Sequence, residues 1–416
     1  MAENIPIVCF THVPIRNSYY QWFLYGFLEL ERQGKIRIKY RLGLFERASF
    51  IWSLRYLFLF ARGLKSFIAD KFNIGGEIEE DSIFRGYVVI DGTKKSFCID
   101  SADGPFMFSS RQLKKQHLYF KMQCPREIDE KGFLIGNIWV PYCDRKFKYR
   151  IVRWLYPDRA RGWAQRHSQR LDCTRDVLTY KNKIRPLMVG VRKLALTNSY
   201  ADLKSSYENL KSSRSVDKTQ KAMCYFGNSM GPVPVRGLKE INYHSEEQFV
   251  GKFEDRINHP NEKRSKVADI LNSLGDGYDG RVIIQGASDE QRMERRDDLV
   301  VPLKDFSSFV AQFAYNINIS GYRMSIPNRF IDSFVSGTAI ATDNLHVKWY
   351  HPFGKEVVEI GEMGYLPNEE VDYDAVREKL KNLPSVSKEE VIDNYEKYWT
   401  PTKVCEYIIS ELKKVS

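Results

Sequence analysis

The feature that most constrains this chain is an alternation, repeated twice along its length, of short apolar β-type runs with helix-periodic segments. In the first half, Ile5 to Phe10 reads as a strand, Tyr19 to Gln33 as a helix closed by Gly34, and Ile36 to Tyr40 as a second strand. Gly86 to Ile90, Ser96 to Ile99 and Leu118 to Lys121 continue the strand series, with a short helix at Ser109 to Gln116. Several runs are continuously apolar rather than alternating, which suits a parallel sheet covered on both faces. The stretch from Ser199 to Gln220 is rich in serine and charge and predicts a domain boundary. The pattern then restarts at the strand Ala222 to Phe226. It continues through the helical VADILNSLG, the strand RVIIQG, the run VVPLKDFSSFVAQFA, the strand-like YNINIS, the helix IPNRFIDSFVSG and the strands TAIATD and EVVEIG, and closes with a helix from Pro401 to Lys414. For 416 residues this predicts two α/β units, 1–215 and 216–416, in line with about 150 residues per domain.

Charge narrows the partners without choosing among them. Sixty-four Lys and Arg against fifty-three Asp and Glu leave a formal +11, which favours nucleotide phosphates, lipid headgroups or nucleic acid. A nucleic-acid-binding protein is one rival, but no recognisable module of that kind is present. Seven cysteines (Cys9, Cys98, Cys124, Cys143, Cys173, Cys224, Cys405) lack any C-x-x-C pair, so neither a zinc ribbon nor a disulfide framework is indicated, and a reducing cytosol fits. The N-terminus lacks a secretory pattern. The most hydrophobic stretch, Phe50 to Phe60, is interrupted by Arg55 and falls short of the roughly 20 apolar residues a membrane span needs.

Gly275, Gly277 and Gly280 match G-x-G-x-x-G, but a helix precedes them and a strand follows, the reverse of a dinucleotide fingerprint; they read as a helix end and turn. More informative is the segment from Ser320 to Asp343, SGYRMSIPNRFIDSFVSGTAIATD. Pro327 suits the first position of a helix and Ser325 stands near enough to cap it. Helix-terminal amides with Arg323 and Arg329 nearby would then make a diphosphate site, and Asp332, three residues after Arg329, could accept hydrogen bonds from ribose hydroxyls. Gly337 ends the helix ahead of a buried strand. The plain alternative is a capped helix whose charges face water.

The order of arginine, helical acid, small residue with glycine, and a β run ending in aspartate resembles the nucleotide-sugar-binding helix of GT-B glycosyltransferases, the exostosin-like and related bacterial polysaccharide transferases in particular. That resemblance covers most of the second half. It implies a GT-B-like α/β fold, two Rossmann-like domains facing across a cleft with a C-terminal helix: residues 1–215 for the acceptor, 216–416 for the nucleotide-diphosphate sugar donor. It further implies a hexosyl transfer onto a hydroxyl of a glycan or lipid-linked oligosaccharide, in the synthesis of a bacterial surface polysaccharide such as a capsule or lipopolysaccharide. On this resemblance Arg329 pairs with the diphosphate, Asp332 replaces the ribose-binding glutamate, and Arg323, Ser325 and Asn328 supply loop contacts. The E-x7-E pattern that many members carry is not kept at this helix: its first glutamate has no counterpart in Ser320 to Arg323, Asp replaces the second, and Glu362 and Glu370, which have the spacing, lie beyond the helix. No cofactor is implied beyond the donor substrate.

Other candidates come from position. His259, Lys263 and Arg264 open a helix near the expected site and could meet phosphate or sugar, or simply be solvated. Asn228, in the turn Gly227 to Gly231, and the loop from Gly286 to Asp289 follow strands at the edge where open α/β sheets bind ligands. In the first half Asp100-Ser-Ala-Asp103-Gly follows a strand and Tyr119-Phe-Lys121 comes soon after; the resemblance extends thinly to both. Asp100 or Asp103 could take the acceptor proton as general base, or form an Asx-turn; His12, just past the first strand, is the alternative base. No essential metal is expected, because arginines and amides can stabilise a departing diphosphate. Along residues 47–67, Arg47, Arg55, Arg62 and Lys65 gather opposite Trp52, Leu57, Phe60, Leu64 and Phe67, which suits a helix on an anionic membrane surface as well as a buried helix with snorkelling arginines. The basic tract from Arg145 to Arg170 would extend that surface. A cytoplasmic protein peripheral to the inner face of the plasma membrane is the expectation, and a non-catalytic membrane-surface adaptor of the same fold is the second rival.

Overall fold

The computed structural model describes residues 5–14, 19–40, 83–102, 104–135, 138–140, 175–191, 199–229, 253–285, 305–320, 325–363 and 370–415, with residues 142, 194, 197 and 301 between them. Residues 47–67, the tract 145–170, Asp103, Arg323 and the loop 286–289 lie outside the described residues.

Two large sheets organise the chain, besides a small antiparallel one of β7 (Glu127–Asp129), β8 (Gly132–Ile135) and β9 (Ile138–Val140). The first contains β1 (Ile7–His12), β2 (Arg37–Tyr40), β3 (Ile83–Ile90), β4 (Thr93–Asp100), β5 (Leu118–Lys121) and β10 (Ile184–Pro186), in the order β10-β5-β4-β3-β1-β2. All neighbours pair in parallel except β3, which runs against both β1 and β4. The sheet is therefore mixed, where continuous apolar character predicted a parallel one. Its cause is local: β3 and β4 form a hairpin whose two turn residues, Asp91 (φ 50°) and Gly92 (φ 77°), both adopt the left-handed region. Asp-Gly is a strong signal for a two-residue turn of this kind.

The second sheet is wholly parallel. It comprises β11 (Gln220–Ser229), β12 (Tyr278–Gln285), β13 (Phe313–Asn318), β14 (Ala339–Asp343) and β16 (Val357–Gly361), in the order β12-β11-β13-β14-β16. Numbered within the sheet this is 2-1-3-4-5, a doubly wound order whose direction reverses between β11 and β13. Two parallel-rich α/β sheets and a C-terminal helix are thus the GT-B-like class the sequence implies.

Helices cover these sheets for reasons legible in the chain. Helix α1 (Tyr20–Arg32) buries Tyr20, Trp22, Phe23, Leu24, Tyr25, Phe27 and Leu30, so it is enclosed on more than one side. Ser110–Lys115 forms α2, capped by Ser109 as expected, and Asp176–Thr179 forms α3. The serine-rich segment that predicts the boundary contains α4 (Tyr200–Ser212). Leu203, Tyr207 and Leu210, spaced four and three apart, bury one face of it while serine and charge occupy the other. Composition suggested a boundary there; periodicity makes a helix. The remaining helices are α5 (Phe253–Ser273), α6 (Phe306–Ala311), α7 (Arg329–Val335), α8 (Tyr373–Lys381), α9 (Lys388–Asn394) and α10 (Pro401–Lys414).

After α5 the turn has Gly275 at φ 88° and Gly277 at φ 89°, the role expected of these glycines. Gly280 instead lies inside β12, where its bare Cα lets the strand approach the Ala268 carbonyl of α5.

Helix α10, although last in sequence, packs on the first unit. Thr400 caps it and Pro401 occupies its first turn. Gly26 of α1 leaves room for the Pro401 carbonyl, where any larger residue would collide with backbone. Lys35–Glu406 at 2.6 Å and Arg185–Glu411 at 2.6 Å fasten the two ends. A second junction joins the units near the C-terminal ends of their strands: β6 (Cys124–Pro125) pairs antiparallel with β15 (Val347–Lys348). No helix among the described residues is long and apolar enough to cross a membrane.

Candidate functional site

Because the parallel strands of each sheet run the same way, each sheet gathers its strand C-termini on one edge, where ligands bind in open α/β sheets. On the second sheet that edge holds Ser229 of β11, Gln285 of β12, Asn318 of β13 and Asp343 of β14. Asp343 ties the ends of β13 and β14 together. It accepts hydrogen bonds from the Ser320 N–H at 2.9 Å, the Ser320 hydroxyl at 3.0 Å and the Thr342 hydroxyl at 3.0 Å. Thr342 in turn accepts from the Asn318 amide at 3.2 Å.

Helix α7, between β13 and β14, carries Arg329 at its first position. The sequence predicted that Pro327 would open this helix under a Ser325 cap. Instead it starts two residues later, Asn328 precedes it without a side-chain cap, and Ser325 lies outside it. The reason is backbone commitment: the residue before a proline is pushed toward extended geometry, and here the N–H and C=O of Ile326 are both bonded to another side chain, Gln123. The helix has seven residues, about two turns. Guanidinium charge, rather than a long helix dipole, is therefore what this edge offers an anion. Its C-terminal end follows expectation: Gly337 takes φ 75°, and the Thr338 N–H bonds back to the Ser333 carbonyl at 2.8 Å.

The Arg329 side chain reaches across to β11, where Nη1 donates to the Tyr225 carbonyl at 2.7 Å. Its guanidinium carbon stands 5.8 Å from the Phe226 ring centroid, and that of Arg264, from α5, stands 5.9 Å from the same ring. Arg264 also donates to the Ile319 carbonyl at 3.3 Å, at the end of β13. Two cations thus share one aromatic ring beside the reversal of strand order. Burial pushes the Arg329 guanidinium down to about 10 and the Arg264 charge adds to this, with Cys224, Asp332 and Asp343 pulling weakly the other way. No carboxylate lies within ion-pairing distance of Arg329 among the described residues.

Asp332 differs from its expected role. It lies on α7 one turn from Arg329, but at 2 % exposure it offers a ribose no surface. Its contribution is electrostatic, as a nearby negative charge. Lys263 is buried on α5, His259 is on the same helix, and Asn228 pairs with Ile284 near the end of β11. Asn328 precedes α7 beside Arg329.

The first sheet's edge is built differently. Asp100 ends β4 and Lys121 ends β5, and the two are register partners. Asp100 is 1 % exposed and Lys121 fully buried. One Asp100 oxygen accepts the Ala102 N–H at 2.7 Å, an Asx-turn; the other accepts the Tyr119 hydroxyl at 2.5 Å and the Lys121 ammonium at 2.9 Å. Lys121 also donates to the Ala102 carbonyl at 3.0 Å. Burial, and then the Asp100 charge, push the Tyr119 hydroxyl well above its ordinary value. The expected aspartate turn and Tyr-Phe-Lys element therefore do meet. Both oxygens of Asp100 are committed, so it anchors the turn and has no reach to an acceptor hydroxyl. His12 is buried at the end of β1, opposite Arg85.

Sequence reasoning had no signal for Gln123. It had one for Tyr119 and Lys121: in a strand, residues two apart share a face, so Tyr-x-Lys after an aspartate strand end can converge on that carboxylate. No group of three or more His, Cys, Asp or Glu among the described residues could hold a metal ion.

No family model matches the chain, and no curated protein matches it. Solved structures similar to it include two of low identity. One is described as "Crystal structure of AviGT4, a glycosyltransferase involved in Avilamycin A biosynthesis", at 14% identity over 49% of this chain and 53% of that one, with a TM-score of 0.25. The other is described as "Crystal structure of GtfA/B complex", at 12% identity over 79% of this chain and 65% of that one, with a TM-score of 0.33. The chain spans less than two thirds of the length of either.

Proposed function

We propose that this chain is a glycosyltransferase that binds a nucleotide-diphosphate sugar at the C-terminal edge of its second sheet. The single observation that carries this reading is the pair Arg329 and Arg264, held beside the β11/β13 reversal with no carboxylate paired to Arg329 among the described residues. A partly buried guanidinium with no ion pair among the described residues gains when an anion arrives. The resemblance of residues 320–343 to a nucleotide-sugar helix supports a diphosphate as that anion.

In the reaction, an acceptor hydroxyl oxygen forms a bond to the sugar's anomeric carbon while the bond from that carbon to the diphosphate oxygen breaks. The bonding pair leaves on the diphosphate, where the two guanidinium groups meet the developing charge. The hydroxyl proton passes to a base at the first sheet's edge. Asp100 being committed, His12, buried at the end of β1, and Asp103 are the two residues to test in that role. We assign Ser325, Asn328, Lys263, His259 and Asn228, and with them Arg323 and Gly286, to the donor side as residues to test. The acceptor we propose is a hydroxyl of a glycan or lipid-linked oligosaccharide in bacterial surface polysaccharide synthesis, reached from the cytoplasmic side with residues 47–67 on an anionic membrane surface.

The test is a thermal-shift screen with UDP, GDP, ADP and CMP, since a ligand that binds only the folded state raises the melting temperature by mass action. One nucleotide is expected to stabilise the protein, and Arg329→Ala to abolish that shift. A shift that survives the substitution would put the phosphates elsewhere.

A further inference from the structure

The loop that leads into Arg329 is held from the other unit. Gln123 lies just past β5, two residues beyond the buried Lys121, and is 3 % exposed. Its amide nitrogen donates to the Ile326 carbonyl at 2.8 Å, and its amide oxygen accepts the Ile326 N–H at 3.0 Å. One side chain thereby does for Ile326 what a neighbouring strand would do, satisfying both backbone groups of a buried residue. The next two residues, Cys124 and Pro125, pair with Lys348 and Val347 of the second unit. Residues 123–125 therefore form a strap from the first unit, and its leading side chain grips the backbone three residues before Arg329.

We propose that Gln123 is a positioning residue for the donor site: it fixes the Ser325–Pro327 segment, and through it the start of α7, so that Arg329 is aimed at the diphosphate only while the first unit is docked. The proposal rests on the glycosyltransferase reading and deepens it by naming what sets the site's geometry. Three features favour positioning over simple packing. The amide is used bidentately, its partner is backbone rather than side chain, and the segment gripped interrupts the helix start that the sequence would otherwise give. The same β5 strand ends in the Asp100–Lys121 pair, so the turn at the first sheet's edge and the donor loop share one rigid strand as their reference.

Two variants separate the hydrogen bonds from the volume. Gln123→Met keeps length and bulk but can neither donate nor accept, and Gln123→Ala removes both. Hydrogen–deuterium exchange on the unliganded full chain reads the grip directly. In Gln123→Met the peptide containing Ile326 is expected to exchange about tenfold faster, while peptides from α10 and β11 keep wild-type rates. Calorimetric titration of UDP, GDP, ADP and CMP, each beside its nucleoside, reads the consequence. Both variants are expected to weaken the nucleotide that binds by about tenfold and to leave its nucleoside's affinity unchanged. Wild-type exchange at Ile326 in Gln123→Met overturns the proposal whether or not any nucleotide binds. So does faster exchange with undiminished affinity. Failure of the functional reading looks different: Arg329→Ala then binds nucleotide as well as wild type does.

Discussion

The two sheets carry charge at the same place, the C-terminal edge, and treat it in opposite ways. In the first, Asp100 and Lys121 neutralise each other in the interior, with Tyr119 and the Ala102 backbone completing the hydrogen bonds. In the second, Arg329 is held by a carbonyl and faces another arginine across a phenylalanine ring. A neutralised pair asks nothing of a ligand and serves as an internal brace. A cation kept short of counter-charge leaves affinity for an anion unspent. The difference favours the second edge for the proposed donor site, and the units' similarity of class does not.

The largest effect should come from breaking the brace. Lys121→Met strands the Asp100 carboxylate in the interior, and chemical denaturation should show a loss of about 3–5 kcal/mol, as for other buried pairs cut on one side. A loss below about 1 kcal/mol would mean that Asp100 finds water and is open to chemistry after all. The matching change on the second edge should behave in the opposite sense. Arg329→Met removes a partly buried cation set against Arg264, so unliganded stability should stay within about 1 kcal/mol of wild type while diphosphate affinity falls about a hundredfold.

Much of the fold was legible because burial leaves a periodic mark. The strand Leu118–Lys121, the helix Pro401–Lys414 and the turn glycines stand where apolar spacing and capping residues put them. One feature was misjudged because continuity outweighed a short local signal, Asp91-Gly92, which reverses β3; the Leu203, Tyr207, Leu210 spacing makes a helix within the serine-rich boundary stretch. The site was less legible than the fold. Arg329 and Arg264 each carry a sequence signal, the one from its place after a helix-opening proline and the other from a basic cluster, but nothing in a sequence says that two helices 65 positions apart point at one ring. The depth of Asp100 and Asp332, which decides what each can touch, is likewise a property of packing.

The contrast extends, with smaller effects, to groups that titrate. Lys218 stands beside Lys388 in the second unit, and burial followed by that neighbour's charge push its ammonium down to about 8 from 10.5. The folded state therefore resists protonation that the unfolded chain accepts. Lys218 costs stability below pH 8, and the cost is relieved as pH rises from about 8 to 10.5. Lys218→Met should raise stability at pH 7 by about 1 kcal/mol, allowing for solvent screening, and the gain should vanish above pH 10.5.

The first unit's clasp on α10 has the ordinary carboxylate sense. Burial alone would raise Glu406 and Glu411, but hydrogen bonds from Lys35 and Lys403, and from Lys414 and Arg185, hold both below their usual 4.5. Their contribution is present above pH 4.5 and is lost as pH falls through the lowered values. Glu406→Gln and Glu411→Gln should each cost a few tenths of a kcal/mol at pH 7 and about nothing at pH 2, measured by denaturant titration.

The central claim is that the donor's diphosphate sits on the second edge and not the first. A crystal structure of the full chain with whichever of UDP, GDP, ADP or CMP stabilises it tests this most directly. Phosphate oxygens are expected within hydrogen-bonding distance of the Arg329 guanidinium, beside the ends of β11 and β13. Phosphates seated against His12 and the Asp100 turn, with Arg329 still bonded only to Tyr225, would contradict it.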